Sequence, residues 1–132
     1  GDITTGYDII DVSTGESWEF LRIAKDNETA DIGKYRVNKE TFVKGHLALS
    51  PGKISNKKVV IIDEVGRLEL EGKGWRDSLQ YLLRLPGIIL VLAVRKDFLE
   101  PVKEEFGLSN AEIFEVPTST SSELMQRIIS TL

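Results

Sequence analysis

Asp63 and Glu64 stand side by side behind four branched aliphatic residues, at the end of the run Val-Val-Ile-Ile over positions 59–62. An apolar run without alternation reads as a strand buried on both faces. Two adjacent carboxylates at the end of such a strand are costly to desolvate unless something compensates their charge. A divalent cation does so. Mg²⁺ takes one or two carboxylates, keeps several waters and shares the oxygens of a phosphorylated substrate. Successive strand residues point to opposite sides, so Asp63 can face the ion while Glu64 faces a water that it orients and deprotonates. In open parallel sheets ligands sit at the carboxyl ends of the strands, where this pair lies.

That division of labour is the logic of a Walker B element. The residues alone leave a plainer alternative open, in which Asp63 ends a strand and caps the next segment while Glu64 is solvated. Gly66, two residues on, suits a sharp backbone turn. His46 is the only histidine and there is no cysteine. A lone histidine on a doubtful helix is poor support for metal or nucleophile chemistry. The absence of thiols removes thiolate metal sites and disulfides, and fits a reducing, cytoplasmic compartment.

The elements that must position the pair are read from periodicity. Residues 1–24 read as a hairpin, with a turn at "STGES" between two β-rich stretches. The stretch "YRV" (35–37) reads as a short strand. Asn38 caps a helix running to about Leu49, with Gly45 as a weak point, and "SPGKISNKK" reads as a loop. After the strand at 59–62, Trp75, Leu79, Leu82 and Leu83 share helical spacing. Residues 88–94 form a second apolar strand. Asp97 and Glu100 read as a capping box for a helix carrying Phe98, Val102 and Phe106. The stretch "AEIFEV" (111–116) reads as a third strand. Thr120 and Glu123 read as another capping box, ahead of a helix with Met125, Ile128, Ile129 and Leu132 along one face. Strands alternating with helices predict an α/β fold, a parallel sheet with helical crossovers preceded by a β-hairpin.

Bulk properties bound the rest. The 132 residues fit a single domain, and 41% hydrophobic with 29% charged residues is the balance of a soluble globular chain. A net charge of −4 argues against nucleic acid as a partner, which calls for a basic face. The longest apolar run, 87–94, is too short for a membrane span.

The stretch "VVIIDEVGRLELEGKGW" (59–75) resembles the segment around the Walker B strand of the small nucleoside-triphosphatases of the thermophile and cancer-related type, a P-loop NTPase family. Other pieces fall in the same order: "TGYDIIDVSTGE" near the start, "IGKYRVN" (32–38), "ILVLAVRK" (89–96) and "EIFEV" (112–116). The resemblance implies Mg²⁺-dependent hydrolysis of a nucleoside triphosphate, Asp63 as the metal-associated acid and Glu64 as the base. It further implies that Arg95, just past the second apolar strand, senses the γ-phosphate; the plainer reading of Arg95 is a solvated charge opening a loop. Lys34 and Arg22 lie in matching segments but receive no phosphate contact from the comparison.

One part of the family pattern is missing. A P-loop needs Gly, four residues, Gly-Lys and then Ser or Thr. The Gly-Lys pairs at 33–34, 52–53 and 72–73 are succeeded by Tyr35, Ile54 and Gly74, and none has the required leading glycine. The resemblance places the family's first strand, P-loop, first helix and second strand before Gly1. The expectation is therefore a domain that carries the Walker B acid and base but needs its phosphate cradle from elsewhere, and that is inactive or nearly so alone. Two apolar strands flanking the slot of an absent strand also predict pairing with a partner chain or self-association. The competing reading is a non-catalytic relative acting as a binding module. A phospho-acceptor receiver domain is disfavoured, because the segment "EVPTST" (115–120) lacks the lysine which that fold places at its last strand.

Overall fold

The computed structural model describes residues 3–116 and 121–132. The chain divides into two compact units, Gly1–Ser55 and Asn56–Leu132.

In the first unit β1 (Gly6–Asp11), β2 (Glu16–Ile23) and β3 (Tyr35–Val37) form an antiparallel sheet in the order β1-β2-β3. The hairpin turn is held by Asp11, which accepts from the backbone N–H and the hydroxyl of Ser13 at 2.9 and 2.6 Å. Helix α1 (Lys39–Ala48) starts where expected, with the Asn38 side chain accepting from the amides of Glu40 and Thr41. Gly45 does not interrupt it: the residue is buried inside the helix. Phe20 of β2 stacks on Phe42 of α1 with ring centroids 6.2 Å apart. The stretch expected as a loop contains a helical turn, α2 (Pro51–Ile54). Pro-Gly reads as a turn, yet proline at the first helical position behind Ser50 is also a good helix start.

In the second unit β4 (Val59–Val65) and β5 (Ile89–Val94) pair in parallel, Val59 opposite Ile89 through Asp63 opposite Ala93. Between them the chain passes through α3 (Arg67–Leu70) and α4 (Arg76–Leu82). After β5 come α5 (Lys96–Glu105) and α6 (Ser121–Thr131). Val60, Ile62, Val65, Leu79, Leu82, Val102 and Ile128 are its buried apolar residues.

Four expectations are corrected here. Residues 111–116 form no strand, so the parallel sheet has two strands among the described residues. The segment is tied instead by ion pairs, Glu115 to Lys96 at 3.3 Å and Glu112 to Arg127 at 2.6 Å. Strand β4 is buried on one face only: Val60 and Ile62 are covered, whereas Ile61 is 64% exposed. Helix α5 begins one residue before the expected cap, with Arg95 in the capping position and no side-chain cap hydrogen bond. Glu100 pairs with Lys103 at 3.3 Å, so the Asp97–Glu100 spacing reflects an exposed helical face rather than a box. Of the stripe expected on α6 only Ile128 is buried, while Met125, Ile129 and Leu132 are exposed. Thr120, the other half of the second expected box, lies outside the described residues.

Candidate active site at the end of strand β4

Parallel pairing sets the carboxyl ends of β4 and β5 side by side. The ladder is regular up to Asp63 opposite Ala93 and then skips, so that Val65 lies opposite Val94 and Glu64 has no partner on β5. Asp63 and Glu64 are both exposed, flanked by buried Ile62 and Val65. Immediately past β5 comes Arg95, whose Nε lies 4.0 Å from Glu64 Oε1. Both side chains are well exposed, at 72% for Arg95 and 50% for Glu64, so this contact contributes little to stability and leaves both free to engage a ligand. Of the three residues singled out by sequence, the structure joins Glu64 to Arg95 and puts Asp63 next to them on the same strand end.

The donor set fits a hard cation that is only partly held by protein. Among the described residues no three His, Cys, Asp or Glu side chains gather into a metal cage. Mg²⁺ does not require one: one or two carboxylates suffice when water and phosphate oxygens complete its shell. Asp63 and Glu64 supply carboxylate oxygens of that kind.

What holds this strand end in place escaped the reading of the sequence. Glu69, on α3, is 3% exposed. Its Oε2 accepts from the Gly66 amide and its Oε1 from the Trp75 amide, both at 2.8 Å. The first bond is half of a capping box, the residue at the third helical position reaching back to the N-cap amide; Gly66 has no side chain to return it. The backbone carbonyl of Glu69 accepts from Arg76 at 2.8 Å, and Arg76 also reaches Glu105 on α5 at 2.5 Å. Two glycines are shaped by this arrangement. A Cβ on Gly74, whose φ is +60°, would run into the Glu69 carboxylate. The backbone bends at Gly66 as expected, between the end of β4 and the start of α3, and a Cβ there would sit 3.3 Å from the Phe98 ring, so packing of α5 also favours a small residue. The signal for Glu69 was present as a lone acid between Leu68 and Leu70, three residues after a glycine.

The remaining candidates lie in the first unit. Arg22 forms a two-pronged ion pair with Glu28, at 2.8 and 2.7 Å. Lys34 lies over the Tyr35 ring at 5.4 Å, and His46 packs edge-on against Phe42 at 4.5 Å. Each has a structural use.

The family model described as NTPase matches residues 1–129. The chain belongs to this NTPase family. It is 29% identical over 107 residues to the nucleoside-triphosphatase THEP1 of Aquifex aeolicus, covering 76% of this chain and 60% of that protein. The THEP1 proteins of Methanothermobacter thermautotrophicus and Natranaerobius thermophilus are 24% and 22% identical, over 96% and 97% of this chain and 70% and 72% of their own. The chain thus spans three-fifths to under three-quarters of the length of these NTPase relatives. No solved structure matches it. No helix among the described residues is long and apolar enough to cross a membrane.

Proposed function

We propose that residues 1–132 are the part of one P-loop-type NTPase domain that lies after the P-loop, and that the end of β4 is its Walker B element. The observation that carries this is the parallel pairing of β4 with β5, which brings Asp63, Glu64 and Arg95 to one edge with Glu64 and Arg95 4.0 Å apart. Asp63 would hold Mg²⁺, whose chemistry there is to neutralise charge on the β- and γ-phosphates. Glu64 orients a water and takes its proton. Arg95, on an exposed side chain, meets charge developing on the γ-phosphate.

Phosphoryl transfer depends on positioning and charge neutralisation, and none of the Gly-Lys pairs of this chain forms a phosphate-binding loop. The cradle is therefore supplied by a segment outside these 132 residues. Among the described residues β5 has a strand on one side only, which supports a further strand or partner chain pairing at its free edge.

The test supplies a P-loop segment, fused or in trans, and measures nucleotide affinity beside turnover. Asp63→Asn weakens Mg²⁺-nucleotide binding. Glu64→Gln leaves binding nearly intact and slows hydrolysis about 10²–10⁴-fold, the usual share of a general base. A Glu64→Gln protein that turns over like its parent would falsify the assignment and leave the pair as a strand end in a non-catalytic binding module.

A further inference from the structure

We infer that Glu69 is a positioning residue for the reaction, an inference that rests on the Walker B reading of Asp63 and Glu64. A carboxylate buried to 3% exposure among apolar neighbours is expensive, and it is tolerated where its oxygens are hydrogen-bonded. Here each oxygen takes one backbone amide. Gly66 comes two residues after Glu64, immediately past the last residue of β4, and Trp75 leads directly into α4. One side chain thus ties the end of the strand that bears the site to the start of the helix that fills the core with Leu79 and Leu82.

The need for such a tie is visible in β4 itself. Past Asp63 the ladder to β5 skips a residue, so Glu64 is not held by strand pairing on that side. The ladder resumes at buried Val65, opposite Val94, and the Gly66 amide on Glu69 Oε2 fixes the chain immediately beyond it. Around it the structure leaves little room: Phe98 closes on Gly66 and the Glu69 carboxylate fills the space a Gly74 side chain would need. Arg76 anchors the Glu69 backbone in turn and reaches across to α5. That helix begins at Lys96, next to Arg95. Glu64 is therefore held between the strand ladder at Asp63 and Val65 and the Gly66–Glu69 bond just beyond, and the direction of the Asp63–Glu64 segment depends in part on Glu69. Misplacing a catalytic group by about 1 Å costs up to about 10²-fold in rate.

Glu69→Gln is the variant that tests this. It keeps the size of the side chain but offers one acceptor oxygen in place of two. In the 132-residue chain, amide hydrogen exchange reads the tie directly. The parent protects the Gly66 and Trp75 amides by at least about tenfold over an unstructured peptide, and Glu69→Gln loses protection at one of them while the α4 interior keeps its own. With a P-loop segment supplied, Glu69→Gln lowers turnover per folded molecule by about tenfold or more, with nucleotide affinity within about twofold. Leu79→Ala, which destabilises the same core without touching Gly66, leaves turnover per folded molecule at the parent level. An unprotected Gly66 amide in the parent overturns the inference even where the variant does not fold. So does equal loss of turnover in Leu79→Ala, which would make Glu69 one packing element among others. A slow Glu64→Gln beside a parent-like Glu69→Gln overturns this inference alone. A fast Glu64→Gln overturns the Walker B reading and this inference with it.

Discussion

The fastenings of Gly1–Ser55 lie on its surface, whereas Asn56–Leu132 adds a sealed apolar core and a buried acid to its surface ion pairs. In the first unit Asp11 closes the hairpin turn, Asn38 caps α1, and Arg22 clamps Glu28 with side chains 38% and 25% exposed. Only Thr41, Gly45 and Ile54 are buried there, among the described residues. In the second unit Leu79, Leu82, Val65 and Val102 are all but sealed, and the buried acid Glu69 is spent on backbone amides next to the site. The difference matches what each unit presents. On the proposed Walker B reading, the strand ends that present Asp63, Glu64 and Arg95 need a fixed direction, and a packed core with an internal polar tie supplies one. The antiparallel sheet needs only to keep its register, which turns, caps and surface pairs can do.

The sharpest way to break this contrast is to cut into the apolar core of the second unit. Leu79 is fully buried. Leu79→Ala is expected to cost about 2–5 kcal/mol, the transfer term plus the cavity it leaves. Denaturant unfolding with an unchanged slope measures it. A loss below about 1 kcal/mol would mean that this core is loosely packed and that the site does not depend on it.

A smaller effect belongs to the first unit. Asn38 satisfies the amides of Glu40 and Thr41 at 3.1 and 3.2 Å, and Asn38→Ala is expected to cost about 0.5–2 kcal/mol. Glycine at the same position should cost only a few tenths more than asparagine, because it also tolerates the cap conformation. Equal losses for alanine and glycine would show that the side-chain cap is not what starts α1.

These residues also show which features sequence could reveal. Asn38 was legible because a cap is local: the residue type and the first turn carry the signal. The hairpin, the strand at 35–37 and the two apolar strands were legible for the same reason. Residues 111–116 were misread because a strand exists only with a neighbour beside it, and local β propensity does not supply one. Ile113 and Val116 are in fact 49% and 82% exposed. Trp75 shares helical spacing with Leu79 and Leu82, yet it sits half-buried at the helix start while they fill the core. At the candidate site, Asp63 and Glu64 were singled out by type and position at a strand end, and Arg95 through the family resemblance. Glu69 was not, because its role lies in amides three residues before it and six after it, whose convergence depends on how α3 and α4 fold back.

The subtlest separation of the two units is by pH. The Arg22 guanidinium beside Glu28, together with the Lys25 amide, holds the Glu28 carboxyl down at about 2 against an ordinary 4.5, with Arg36 adding to the pull. Asp11 is lowered too, chiefly by the Ser13 hydroxyl. A carboxyl whose folded value lies below its unfolded one releases its proton more readily when folded. Its stabilising contribution is therefore complete above the unfolded value and fades as pH falls toward the folded one. For Glu28 that window runs from about 4.5 down to about 2. Unfolding of the first unit, tracked by the fluorescence of Trp18, should lose stability across this window in the parent. Glu28→Gln should be less stable than the parent at pH 7 and should show a shallower decline below pH 4.5. The residual slope in that variant belongs to Asp11 and to any other carboxyl lowered on folding. The second unit, tracked by Trp75, should keep the same acid profile in parent and Glu28→Gln. A decline at Trp75 that also becomes shallower in Glu28→Gln would show that the surface fastenings of the first unit support both halves of the chain.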